Sequence, residues 1–203
     1  MIIPNDKYPS MEEAFELFNE SFMSYEKRRP DSHYDEHCTS VAACAEIIAS
    51  STKDLNPQKS YILGLLHDYG KIIDEKEAFH GNTGHNLMIK KGYNPVAKIC
   101  ITHSFPNKEF KIKDYNYDKD ELKKSKALLD NMEYDDYDRL IQLSDLLVIN
   151  LAFVPIKERI INIQTNYDVA PSIAKKKYKE AMHLKKYFDN KCGIDIYKLL
   201  GLS

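Results

Sequence analysis

The residues of this chain best suited to chemistry are His67 and Asp68, adjacent in the run Leu65-Leu66-His67-Asp68-Tyr69-Gly70-Lys71. An imidazole and a carboxylate at the end of an apolar run are costly to bury unless something pairs with them. A metal ion takes a neutral His nitrogen and an ionised carboxylate together and is the economical partner. The pair cannot fill a coordination sphere alone, so further ligands have to come from elsewhere. His37 shares a helical stripe with Val41, Cys44, Ala45 and Ile48 and points where they point, toward the core. Asp145 lies in Leu143-Ser144-Asp145-Leu146-Leu147-Val148-Ile149, where a carboxylate has to be paired, hydrogen-bonded or metal-bound. His103 ends the apolar stripe of Val96, Ile99 and Cys100, and His80 opens His80-Gly81-Asn82-Thr83-Gly84. Singly, each has a bland reading: His37 as a core histidine with an ordinary hydrogen-bond partner, Asp145 as a helix cap or the partner of an Arg. As a set around the His-Asp pair, His37, His67, Asp68, His80, His103 and Asp145 are much harder to obtain by chance.

The elements that must position these side chains read as helices. Ser10 with Glu13 is a capping box opening a helix at about residues 10–29, carrying Phe15, Phe18 and Phe22. A second helix runs from about Ser32 to Ser50. A third opens at Asn56-Pro57 and runs to Tyr69, with Gly70 as its C-cap. Residues 72–81 read as a loop. Helices follow from about Asn82 to Gly92, from Asn94-Pro95 to His103, from Lys119 to Leu129 and from Tyr134 to Ala152. Two more begin at Pro155 and Pro171, and a final turn lies between Ile194 and Leu200. The stretch 104–119 has no clear period, which suits a lid or binding loop. Lys175-Lys176-Lys177 reads first as the wet face of the last long helix, with phosphate or RNA binding there as the lesser alternative. The expected fold is all-α: one domain over 1–203, with a core at about 32–152 and a C-terminal helical extension at 155–200.

Composition narrows the function classes. With 29 basic and 31 acidic side chains the net charge is -2, which gives no reason to expect nucleic acid. No apolar run reaches the ~20 residues of a membrane span, and the first residues lack a signal-peptide core. Four scattered cysteines, none in a Cys-x-x-Cys pair, suit reduced thiols. The expected setting is the cytoplasm, with no membrane partner; a homodimer through the aromatic first helix is one option.

With these residues in place, the sequence resembles the HD superfamily of metal-dependent phosphohydrolases. The family pattern of a helical His, a His-Asp pair on the next helix and a distal Asp matches His37, His67-Asp68 and Asp145. Its frequent His-Asp-Ile-Gly-Lys is similar to His67-Asp68-Tyr69-Gly70-Lys71, with Tyr69 in place of the aliphatic residue. The segment from His80 through Gly84 and Gly92 to His103 looks like a branch with two added histidines, similar to enzymes that hydrolyse diadenosine tetraphosphate. That resemblance implies a helical bundle and a binuclear centre: Asp68 bridging, His37, His67 and Asp145 on one side, His80 and His103 on the other. Iron or manganese are the implied divalent ions, with Mg, Ni or Co admitted. It implies hydrolysis of a small phosphorylated substrate such as a nucleotide, with Asp68 and Lys71 as catalytic groups and Lys71 meeting the phosphate. His85 departs from the pattern and is left to substrate contact or packing. Three alternatives stay open: a mononuclear nucleotidase, a mixed-valent di-iron oxygenase, and a non-catalytic nucleotide-binding regulatory module.

Overall fold

Ser10 and Glu13 form the expected capping box at the start of α1 (Met11–Arg28), each side chain accepting from the other's amide, at 3.2 and 2.7 Å. The computed structural model describes residues 6–73, 80–110, 112, 118–166 and 169–202. Next come α2 (Tyr34–Ser50), α3 (Pro57–Leu66), a 3-10 turn at Tyr69–Ile72, α4 (His80–Lys91), α5 (Asn94–Thr102), α6 (Lys119–Asp130) and α7 (Asp136–Asp145). A short antiparallel hairpin follows, β1 (Val148–Ile149) with β2 (Ala152–Phe153). The described chain ends with α8 (Ile156–Asn166), α9 (Pro171–Cys192) and α10 (Ile196–Leu199). Apart from the hairpin the fold is all-α, as expected. No helix among the described residues is long and apolar enough to cross a membrane.

Two elements differ from expectation in ways that shape the site. The helix expected from Tyr134 to Ala152 stops at Asp145, and the β-branched Val148 and Ile149 pair across the hairpin instead. Asn150, at φ 50°, takes the left-handed conformation at the turn, which Asn adopts more readily than most residues. This reversal brings α8 back against the end of α7. The third helix ends at Leu66, not Tyr69. His67 and Asp68 then form the joint before the 3-10 turn, with Asp68 at φ -99°, ψ 13°.

Gly70 is not a left-handed helix cap, since its φ is not positive. It is required by close approach: a Cβ there would fall 1.8 Å from the carbonyl oxygen of His80 and 2.5 Å from the amide nitrogen of Gly84. The backbone of α4 is thereby seated directly on the turn that follows the His-Asp pair.

A helix end leaves carbonyls without intrahelical donors. Here α1 supplies many of the donors. Ser24 Oγ donates to the Ile72 carbonyl at 2.7 Å, and the Arg28 guanidinium donates to the Lys71 and Ile72 carbonyls. Tyr34 Oη, held by Ser21 at 2.7 Å, reaches the Asp68 carbonyl at 3.4 Å. In the aromatic stripe of α1, Phe18 packs inward and Phe15 stays exposed.

The main core joins α2, α3 and α7 through Val41, Cys44, Ile48, Ile62, Leu65, Leu140 and Leu143, all buried. A smaller core of Ile101, Phe105, Phe110, Leu122 and Leu129 lies under α6. Of the expected loop over 104–119, residues 111 and 113–117 lie outside the described residues, as do 74–79 of the loop expected over 72–81. Helix α4 begins at His80 rather than Asn82.

Candidate metal centre

Each sequence-predicted ligand sits at the end of a helix or on its inward face, and all of them converge. His37 projects from the first turns of α2, His67 and Asp68 from the joint after α3, His80 from the first residue of α4, His103 from the end of α5 and Asp145 from the last residue of α7. His37 Nε2 is 3.2 Å from Asp145 Oδ1. The His67 ring centroid is 5.3 Å from that of His37 and 5.0 Å from that of His103. Asp68 divides its oxygens: Oδ1 lies 3.0 Å from His80 Nε2 and 3.5 Å from His103 Nε2, while Oδ2 lies 3.6 Å from His67 Nε2. His80 Nε2 and His103 Nε2 are 3.1 Å apart. Among the described residues, two groups have ligand atoms close enough to share an ion: His37, His67 and Asp145, and His67, Asp68 and His103.

The helices bearing these ligands are cross-tied. Thr102 Oγ1 donates to Asp138 Oδ1 at 2.7 Å, and Gln142 Nε2 donates to the Thr102 carbonyl at 2.9 Å, which binds the end of α5 to α7. Asn82 and Ser125 link α4 to α6 at 3.0 Å. Such ties fix helix ends that must present ligands within fractions of an ångström.

His67 carries the test of whether these residues fit a metal. Its Nδ1 lies 2.7 Å from the Gly64 carbonyl, which can only accept, so Nδ1 holds the proton. The opposite nitrogen, Nε2, is then an unprotonated lone pair aimed at the cluster. It is buried, with the residue 1% exposed, and has no hydrogen-bond partner among the described residues. Leaving such an atom unsatisfied costs roughly 1–3 kcal/mol. A Lewis acid answers that need, and the carbonyl-anchored imidazole is the form a ligating histidine takes. His103 repeats the arrangement, with Nδ1 3.2 Å from the Ile99 carbonyl.

The electrostatics match this chemistry. Burial would raise the Asp68 carboxyl, but the Lys71 ammonium, with the hydrogen-bonding His80 ring, outweighs it and holds the group well below the usual carboxylate range. Burial likewise opposes ionisation of Asp145, and Arg159 and His37 overcome it. Burial pushes the His103 imidazole down to about 3, helped by His67, and lowers His67 too. The carboxylates are therefore charged and these two imidazoles neutral at neutral pH, the protonation states that divalent ions bind.

Lys71 Nζ lies 2.7 Å from Asp68 Oδ2 and 5.9 Å from the ring centroids of both Tyr25 and Tyr34. It is thus an ion-pair partner of Asp68 held between aromatic faces, and it also lines the cavity. That cavity, of about 600 Å³, opens over the cluster. His85 does not line it; its Nδ1 lies 3.0 Å from the Ala97 carbonyl, a packing role.

Two cationic residues on the cavity wall fall outside the set that the sequence singles out. Arg159 Nη2 donates to Asp145 Oδ1 at 3.0 Å, and Lys177 lines the same cavity. Lys175 and Lys176 are exposed, as a wet face requires, but Lys177 is partly buried. The sequence does hold a signal for both. Arg159 lies one turn from Ile156 and beside Ile160, and Lys177 lies between Ala174 and Ala181, all four buried. Residues three or four apart share a helix face, so both cations point inward.

A family model described as HD domain matches residues 34–148, more than half of the chain. Comparison with curated proteins and with solved structures returned no match. The matched segment contains all six candidate ligands and Lys71; Arg159 and Lys177 lie beyond it.

Proposed function

The chain belongs to the HD-domain family, a superfamily of metal-dependent phosphohydrolases, and from that premise we propose that it hydrolyses a phosphoester or phosphoanhydride of a nucleotide or similar small metabolite. The reading rests on one observation above all: the buried, partnerless Nε2 of His67 beside an ionised Asp68 whose two oxygens face different histidines. His37, His67 and Asp145 would hold one divalent ion, and His80 with His103 a second, with Asp68 shared between them; iron or manganese suits this donor set. When bound, such ions supply Lewis-acid polarisation of a phosphoryl oxygen and acidify water near neutral pH.

The chain's own groups do the rest. Lys71 opens on the cavity and donates a hydrogen bond from its ammonium to a phosphate oxygen, while its pairing with Asp68 keeps it oriented. Asp68 and Asp145 stay ionised and serve as acceptors that orient the attacking water. The apolar side chains Phe105, Ile163, Val169 and Ile173 form a wall against which a base or sugar packs.

The test is a screen of phosphoesters and phosphoanhydrides with protein reconstituted with Mn or Fe, repeated with Asp68→Asn. Hydrolysis that requires metal and is lost in the variant is the expected result. Turnover by metal-stripped protein, or undiminished turnover by Asp68→Asn, would overturn it.

A further inference from the structure

Lys177 is an inward cation whose nearby carboxylates are engaged by other groups. It stands on the buried stripe of α9 between Ala174 and Ala181 and lines the cavity above the ligand cluster. No hydrogen bond or ion pair joins it to any described residue. The carboxylates whose charges bear on it are Asp145, already taken by Arg159 at 3.0 Å and His37 at 3.2 Å, and Glu180, which accepts from Asn107 at 3.1 Å and lies 4.0 Å from Lys176. Withdrawing an ammonium from water without a partner is costly, and burial lowers its proton affinity. A surface lysine would avoid that cost by turning outward, as Lys175 and Lys176 do.

The neighbouring helix adds polar groups to the same wall. Arg159 Nη1 donates to Asn162 Oδ1 at 3.2 Å, which leaves the Asn162 amide group as a donor, and Asn162 lines the cavity with Lys177. Lys71 lines it from a different element, the turn after the His-Asp pair. Cations therefore enter one cavity from separate parts of the fold. One lies within the family-matched segment and the others on helices that follow it in the chain.

We propose that Lys177, supported by Asn162, binds a second anionic group of the substrate, apart from the phosphoryl group handled at the Asp68 cluster. The preferred substrates are accordingly those with a second phosphate. This rests on the phosphohydrolase reading for the identity of the first group, and the C-terminal helices then act as the specificity element of the site.

The experiment measures binding rather than turnover. Calorimetry on Mn-loaded protein compares a series of α,ω-alkane bisphosphonates of increasing chain length with the matching alkyl monophosphonates, none of which can be hydrolysed. Wild-type protein is expected to prefer one or more bisphosphonates, and Lys177→Met to lose that preference by about tenfold, the lower range for a charged hydrogen bond. Affinity for monophosphonates and metal content should stay unchanged, and Lys177→Arg should restore the preference. Equal weakening of both ligand series, a fall in metal content, or no bisphosphonate preference in the wild type would overturn the proposal. A hydrolysis screen alongside separates the two readings. Bisphosphonate preference without any turnover refutes the phosphohydrolase reading alone, and turnover without the preference refutes the Lys177 assignment alone.

Discussion

Arg159 grips Asp145 at two points. Its Nη2 donates to the carboxylate at 3.0 Å and its Nε to the main-chain carbonyl at 3.1 Å. The same residue thus satisfies an orphan carbonyl at the end of α7 and orients the carboxylate that faces His37. Arg159→Met removes both bonds while keeping most of the stem. Metal affinity should fall about ten- to a hundredfold, the usual range for losing a ligand's outer partner. Titration of the stripped variant with Mn, read against wild type, checks this; an unchanged affinity would show that Asp145 does not ligate or does not need Arg159.

Gly70 and the backbone of α4 leave no room for a side chain. Gly70→Ala has to push the His80 end of α4 off the turn after the His-Asp pair. A loss of roughly 2–4 kcal/mol is expected, because backbone rather than a flexible side chain must shift. Denaturant unfolding measures it. The folded fraction should also bind metal more weakly, since His80 moves with the helix; a variant as stable as wild type would contradict the packing described.

Stability of the metal-free chain should fall with acid over a definite window. His103 is held down to about 3, whereas an unfolded imidazole titrates near about 6.5. Between those values the unfolded chain binds a proton that the native chain refuses, so stability rises with pH across the window and is complete above it. His67, also lowered, acts in the same direction. Asp68 and Asp145 have depressed values, so their contribution is present above the ordinary carboxylate range and is lost as pH falls below it. Thermal unfolding of stripped protein at a series of pH values should show the midpoint dropping below about pH 6. A flat profile to about pH 4 would mean that the buried histidines are not held neutral.

Much of this site can be read from the chain because its candidate ligands are polar residues at apolar helical positions. His37 on the stripe of Val41 and Ile48, and Asp145 amid leucines, are visible by period alone. The convergence of His80 and His103 on Asp68 depends on how α4 and α5 pack, which no local pattern encodes. The joint at His67-Asp68 is hidden for a related reason. A one-sided apolar period is absent there, since Leu65, Leu66 and Tyr69 are all buried, so nothing in the pattern marks where α3 stops. The donors that hold the turn, Ser24 and Arg28, lie far away in sequence on α1. A run of lysines suggests a wet face and so conceals Lys177, although its spacing from Ala174 and Ala181 places it inward.

The central claim is that these six side chains hold metal. Anomalous scattering from crystals grown with Mn or Fe tests it most directly. The account predicts two peaks: one among His37, His67 and Asp145, the other among Asp68, His80 and His103. A single peak would contradict the shared role of Asp68, and no peak at the cluster would contradict the metal centre itself.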